Sequence, residues 1–245
     1  MPYPSGQQYI DLHTHIAWNY PYIFSIRSLV KPLEIESFQP SAAAVSIGLH
    51  PWYIEPGKEH KLIELVRDAS LNPNVMAIGE CGIDLKIETQ YRLQEKVFLK
   101  QAAIAEELKK PLVIHCVKAY QQLTNLLKQQ KPKVPWIFHG FNNNEQVAME
   151  LINHGAYLSV GADLLKDNSK IRKSFPLLPP DHLFLETDEW QQPVWKLYAE
   201  AVKLLGITEK ILKQHLFDNF RNCFPIHQDS ESKIGTNEVL LVQKL

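Results

Sequence analysis

Eight short runs rich in apolar and β-branched residues punctuate the chain, at about 9–14, 22–30, 43–49, 74–79, 111–115, 134–139, 156–161 and 182–187. Each breaks off abruptly into polar residues, the signature of a buried strand. Between most of them the period lengthens. Residues 58–71, 89–110, 119–130 and 143–155 carry apolar side chains at i, i+3 or i+4, the stripe of a helix laid against a sheet. Strand, helix, strand with short connections predicts a parallel sheet, and eight such units predict closure into a (β/α)8 TIM barrel. An open doubly wound sheet is the alternative, although no GxGxxG loop follows the first strand.

Two regions break the pattern. Between His15 and Ser41 there is room for a strand, but the punctuation PYP, KP and QP leaves no helix, so the first crossover is expected to be abbreviated. After Phe224 the stretch PIHQDSESKIGTNE is polar before EVLLVQKL ends the sequence. The expected division is a hydrolase barrel over 1–225 and a loosely attached C-terminal tail over 226–245.

Composition narrows the class. A length of 245 residues fits one α/β barrel of ~250 residues. The 45% hydrophobic and 22% charged content is that of an ordinary globular protein with a large core. Twenty-six basic residues face 27 acidic ones, a net charge of −1, so no global field draws the chain to nucleic acid and any such contact must be local. The cysteines, Cys81, Cys116 and Cys223, form no CxxC pair and no disulfide framework, which fits a reducing compartment. The first residues lack a basic and then apolar leader, and no apolar run reaches the ~18 residues of a membrane helix. A cytoplasmic protein is expected, without membrane contact and with no obligate protein partner evident.

Candidate chemistry sits where the apolar runs end. In DLHTH (11–15) the two-residue period of a strand puts Asp11, His13 and His15 on one face, and two imidazoles can converge on one ion. Glu80 closes VMAIGE, His115 closes PLVIH, His139 closes WIFH and Asp188 closes LFLETD. Alone, a histidine at a strand end is more often a surface or core residue, and a single glutamate a solvated charge. Together, on parallel neighbouring strands, these six ligand types would meet at one mouth. Such ligands leave an ion electrophilic enough to activate water, and six suit two ions better than one, with a carboxylate such as Glu80 as bridge. Two metals ~4 Å apart suit phosphoester hydrolysis.

DLHTH, IGLHPW (47–52), IGECGIDL (78–85), PLVIHCVKA (111–119), FHGF (138–141), LETD (185–188) and DNFRNCF (218–224) resemble, in order, the signatures of the TatD-type metal-dependent deoxyribonucleases. The likeness covers about residues 9–225. It implies a barrel of the amidohydrolase type and two divalent ions, Mg²⁺, Mn²⁺ or Zn²⁺. His13, His15, Glu80 and Asp188 would hold one ion, and Glu80, His115 and His139 the other, with Glu80 as the bridge. Asp188 would orient or deprotonate the attacking water. His50 is similar to the family's phosphate-contacting histidine; the plainer reading is a polar residue helping the turn at Pro51.

The chain also departs from the family. Where an arginine often stands two residues after the fifth-strand histidine, Val117 stands here, with Lys118 beside it as a point charge for phosphate. After LETD come Glu189 and Trp190 rather than a small residue and a proline, which predicts added charge and bulk at the mouth. Asp84 is read either as an acceptor that orients a ligand histidine or as a turn cap. Cys81 and Cys116 are read as buried small hydrophobes. The lysines of KQQKPK (128–133) and KDNSKIRK (166–173) either guide a nucleic-acid strand or form solvated faces.

The resemblance thus implies a metal-dependent phosphodiesterase acting on single-stranded or frayed DNA ends. The alternatives are an amidohydrolase-type enzyme on a small amide, lactone or phosphoester, and a metal-binding scaffold without turnover.

Overall fold

A computed structural model describes residues 2–40 and 42–224. Eight parallel strands stand in sequence order: β1 (Tyr9–Thr14), β2 (Ile23–Leu29), β3 (Val45–Ile47), β4 (Val75–Asp84), β5 (Leu112–Val117), β6 (Trp136–Phe138), β7 (Tyr157–Val160) and β8 (Leu183–Leu185). A Thr14–Asp188 bridge joins the last strand to the first, and the architecture is a TIM barrel. The predicted helices correspond to α2 (Glu59–Ala69), α3 (Tyr91–Leu108), α4 (Tyr120–Gln130) and α5 (Glu145–Ile152). Four more helices lie outside the stretches read as helical: α1 (Pro32–Glu36), α6 (Lys170–Ser174), α7 (Trp195–Leu205) and α8 (Glu209–Cys223). The expected tail, 226–245, lies outside the described residues.

The stretch before Ser41, expected to be free of helix, does hold one, α1, beyond β2, but no helix stands between β1 and β2. Aromatic rings cover that flank instead. Tyr20 and Tyr22 lie 5.3 and 5.4 Å, centroid to centroid, from Trp195 at the start of α7. The five-residue α1 follows β2, and the Glu34 carboxylate accepts the amide protons of Val30 and Lys31 at its start.

Strand β4 differs from its expected extent. It does not stop before Glu80 but runs on to Asp84, buried along all ten residues. Its register against β5 slips by one residue between Ile78 and Cys81, a bulge with Glu80 inside it. Two glycines permit this approach: a Cβ on Gly79 would stand 2.3 Å from the Val113 carbonyl oxygen, and one on Gly82 would stand 2.0 Å from that of His115. A charged residue in mid-strand reads as a terminus in sequence because its burial needs partners that only the folded barrel supplies.

A similar slip corrects the first motif. The β1–β2 register shifts between Asp11 and Thr14, which breaks the two-residue period. Ile10 and Leu12 join Val113, Ile137 and Phe184 in an inner cluster, closed by Phe220, Cys223 and Phe224. Asp11 is drawn to β8 instead, where its carboxylate accepts from the Thr187 amide (2.8 Å) and hydroxyl (2.7 Å). Burial raises its pKa to about 8. Because β8 is short, the backbone of Ile10 is served by the buried Tyr198 hydroxyl of α7, which receives its N–H at 2.9 Å and donates to its carbonyl at 3.2 Å.

Candidate metal centre

The carboxyl ends of the strands bring His13, His15, His50, Glu80, His115, His139 and Asp188 together. Glu80 is the hub. Its Oε1 lies 2.6 Å from His139 Nε2, 2.7 Å from His115 Nδ1 and 3.1 Å from His50 Nε2. Its Oε2 lies 3.4 Å from His13 Nε2 and 3.5 Å from His15 Nε2. Asp188 Oδ1 approaches the same two imidazoles, at 3.7 and 3.6 Å. Three sets have their ligand atoms close enough to share an ion: His13, His15 and Glu80; His13, His139 and Asp188; and His50, Glu80 and His115.

The donor set fits a divalent cation. Nitrogen lone pairs and both Glu80 oxygens converge within a buried space, and neither ring nitrogen of the fully buried His13 has a hydrogen-bond partner. A buried polar atom without a partner costs on the order of 1–3 kcal/mol, a cost that an ion would relieve. Without an ion the charges lean on one another. Burial would discharge His139, but Glu80 and Glu186 on either side raise its pKa well above the imidazole range. Burial likewise opposes the charge on Glu80, yet His139, His115 and His13 hold its carboxyl well below the usual range. The more open Asp188 moves the other way: burial lifts its carboxyl above the ordinary carboxylate range, against the pull of His13 and His139.

Strand β8 contributes more than sequence reasoning found. Glu186, fully buried, accepts the Gly140 amide at 2.6 Å and lies 3.4 Å from His139 Nδ1, so it holds that ring from behind. The signal was present in LETD, since Glu186 and Asp188 stand two residues apart as His13 and His15 do. Asp188 has φ +52°, a left-handed conformation that aspartate tolerates. It lets the Asp188 amide donate to the His13 carbonyl at 2.9 Å while the His15 amide donates to the Asp188 carbonyl at 3.0 Å.

His50 caps the single turn Pro51–Tyr53, and its Nδ1 accepts the Trp52 amide at 3.1 Å. That bond leaves the proton on Nε2, the nitrogen facing Glu80, so His50 is a donor there. Burial holds its pKa low, in keeping with a neutral ring. Turn cap and site contact are one arrangement, not two alternatives.

Asp84 Oδ2 accepts the Trp52 indole N–H at 2.8 Å and lies 3.5 Å from His115 Nε2, while Oδ1 accepts the Lys86 amide at 2.8 Å. Both readings of this residue therefore describe it. Lys118 is exposed on the turn after β5, outside the three ligand sets. Glu189 is exposed, and Trp190 is half-buried and packs against the core. Cys81 is fully buried, and burial pushes its thiol pKa up; that of Cys116 rises to about 12 for the same reason. In the basic runs Lys128 pairs with Glu150 (2.7 Å), Lys166 with Asp163 (2.6 Å) and Arg172 with Glu200 (2.7 Å), which favours solvated faces. Among the described residues no helix is long and apolar enough to cross a membrane.

Comparison with known proteins bears on the family and the fold. The model of a family described as TatD related DNase matches residues 22–225, so DLHTH lies ahead of the matched span. The 3'-5' ssDNA/RNA exonuclease TatD of Escherichia coli K12 is 30% identical over 159 residues, 61% of this chain and 59% of that protein. An uncharacterized metal-dependent hydrolase of Buchnera aphidicola is 33% identical over 147 residues, 59% of this chain and 55% of that protein. The chain thus spans somewhat under two thirds of the length of the curated relatives it matches. Among solved structures, YjjV, a TatD homolog from Escherichia coli K12, superposes with a TM-score of 0.75 at 21% identity, covering 91% of this chain and all of that one. A TatD-family hydrolase from Entamoeba histolytica gives 0.72 at 15% identity, covering 89% and 98%.

Proposed function

The chain belongs to the TatD related DNase family, and we propose that it is a metal-dependent phosphodiesterase that removes nucleotides from single-stranded or frayed DNA ends. The observation that carries this reading is the convergence of four imidazoles besides His50 on Glu80, with the Asp188 carboxylate facing two of them. The catalytic unit is residues 1–225, acting in the cytoplasm. The exonuclease relative named above supports the 3' end as the point of attack.

In this reading His13, His15, Glu80 and Asp188 would hold one divalent ion, and Glu80, His115 and His139 a second. Such ions make water acidic enough to ionise near neutral pH and offset charge building on the phosphate. Asp188, whose side chain is 41% exposed, takes the proton of the attacking water. The water oxygen bonds to phosphorus, the bond from phosphorus to the sugar oxygen of the leaving strand breaks, and that oxygen collects a proton. His50 turns its Nε2–H from Glu80 to a phosphate oxygen, and Lys118 adds a cation at the rim. Glu186 and Asp84 keep the His139 and His115 rings aimed.

The test is release of nucleotides from end-labelled single-stranded and blunt duplex DNA with Mg²⁺ or Mn²⁺ and with chelator. Metal-dependent release, faster from the single strand, is expected, and Glu80→Ala should lose at least a hundred-fold. Equal activity in Glu80→Ala would sink the reading. Metal analysis of the purified protein gives the number and identity of the ions.

A further inference from the structure

Trp52 is a large apolar side chain left 60% exposed beside a buried polar centre. It is nonetheless pinned. Its backbone amide is held by His50 Nδ1 and its indole N–H by Asp84 Oδ2. The ring stands edge-on to His50, with centroids 5.0 Å apart, and lies 6.2 Å from His115. An exposed tryptophan held by two hydrogen bonds loses little further freedom when something stacks on it. The ring is thus preorganised, and it lies next to the histidine that meets the phosphate in the reading above.

We propose that Trp52 is the platform on which the terminal base of a single-stranded substrate stacks, so that the phosphate joined to that base is delivered to His50 and Glu80. This rests on the nuclease reading and names how its substrate is recognised. A base and its own phosphate belong to one nucleotide and are separated only by its sugar, which matches a platform adjacent to His50. Every base has a π-face, so stacking here is tolerant of sequence. A base within a duplex has both faces covered by its neighbours, and only an unpaired or frayed end offers one. With a net charge near zero, and with Lys128, Lys166 and Arg172 of the basic runs held by acidic partners, stacking supplies what a broad phosphate-binding surface elsewhere would.

The experiment compares two single-stranded oligonucleotides, one intact and one with an abasic site in place of the 3'-terminal base, as substrates in Mn²⁺ and as ligands by fluorescence anisotropy. The wild-type protein should prefer the intact end on the order of ten- to a hundred-fold, the range of one base–aromatic stack. Trp52→Phe, which keeps a ring and loses the N–H, should retain most of this preference, whereas Trp52→Ala should bring the ratio near one. A purely structural role for Trp52 would lower both substrates together and leave the ratio untouched. An unchanged ratio in Trp52→Ala, or no preference in the wild type, overturns the platform while the nuclease reading stands. No release from either end by the wild type overturns both.

Discussion

The Asp84→Asn substitution separates aiming of the metal centre from its bare composition. The side chain is fixed in place because Gln94 takes both backbone groups of Asp84, its Oε1 accepting the N–H at 2.8 Å and its Nε2 donating to the carbonyl at 2.9 Å. The carboxylate meets three N–H groups: Trp52 Nε1, the Lys86 amide and His115 Nε2. Burial works against its charge, but the Trp52 and Lys86 bonds and the neighbouring His115 prevail and hold its pKa below the ordinary range. Asparagine keeps the shape with a single acceptor. If its oxygen serves Lys86, its NH₂ confronts the indole N–H, and His115 must accept at Nε2 and carry its proton on Nδ1, the nitrogen 2.7 Å from Glu80. That tautomer cannot offer Nδ1 to an ion. If the amide flips, the Lys86 N–H is orphaned. A lost hydrogen bond to a charged group is worth about 1.5–3 kcal/mol. Partners behind metal ligands typically give ten- to a hundred-fold in affinity or activity, about 1.4–2.7 kcal/mol. The two ranges agree, so the metal concentration for half-maximal nucleotide release should rise ten- to a hundred-fold, with the metal-free protein still folded. Half-maximal metal within two-fold of wild type would refute the reasoning. So would an equal loss in Trp52→Phe, which removes the indole N–H but leaves Asp84 facing His115.

Other expectations test the frame around the site. Saturating Mn²⁺ at 100 times its Kd should stabilise the protein by about 2.7 kcal/mol, roughly 5–10 °C in Tm for a chain of this size; differential scanning fluorimetry reads it, and Glu80→Ala should abolish most of the shift. Lys110 donates to the carbonyls of Ser70, Asn72 and Val75, and burial lowers its pKa to about 8. Between pH 8 and the unfolded value near 10.4 the unfolded chain binds more protons, so stability should rise with pH across that window and stay flat below it. Lys110→Met should remove this rise and cost about 1–3 kcal/mol for orphaned carbonyls, and urea unfolding at pH 7.5 and 10 measures both. Gly82→Ala drives a methyl group into the His115 carbonyl and should cost more than about 4 kcal/mol or prevent folding. Gly140→Ala, with φ +56° but open space, should cost only about 1–2 kcal/mol, and equal costs for the two would sink the steric account.

The strand ends were legible because burial and period act locally. A run such as PLVIH needs no knowledge of its neighbours to read as a buried strand bearing a ligand, and β5 carries His115, although it runs on two residues beyond it to Val117. What the sequence hid depends on pairing between strands. Nothing local in VMAIGECGID says that Glu80 lies inside a bulge, since the slip is set by how β4 and β5 pack across Gly79 and Gly82. The same holds for DLHTH, where a register shift sends Asp11 to Thr187 and leaves His13 among the carboxylates. The apolar faces of α7 and α8 were legible but not read, whereas what these helices do at the seam was not legible, with Tyr198 on the Ile10 backbone and Asn219 Nδ2 on the carbonyls of Pro180 and Leu183.

That seam binds the fold to the site. Strands β1 and β8 meet through the backbone of Asp188, whose N–H and carbonyl take up His13 and His15, the two residues its side chain faces. Closing the barrel and assembling this half of the centre are therefore one event. An ion held by His13, His15 and Asp188, as proposed above, would tie together the ends of the described barrel, 173 residues apart between His15 and Asp188 by their positions. Clipping so long a loop stabilises mainly by limiting what the open state can do. It follows that metal should slow opening of the β1–β8 seam more than motion elsewhere. Hydrogen exchange of the His15 and Asp188 amides, compared with and without Mn²⁺, should show greater added protection than the amides of β6. Uniform protection would mean that the ion stabilises the barrel as a whole and that closure is independent of the site.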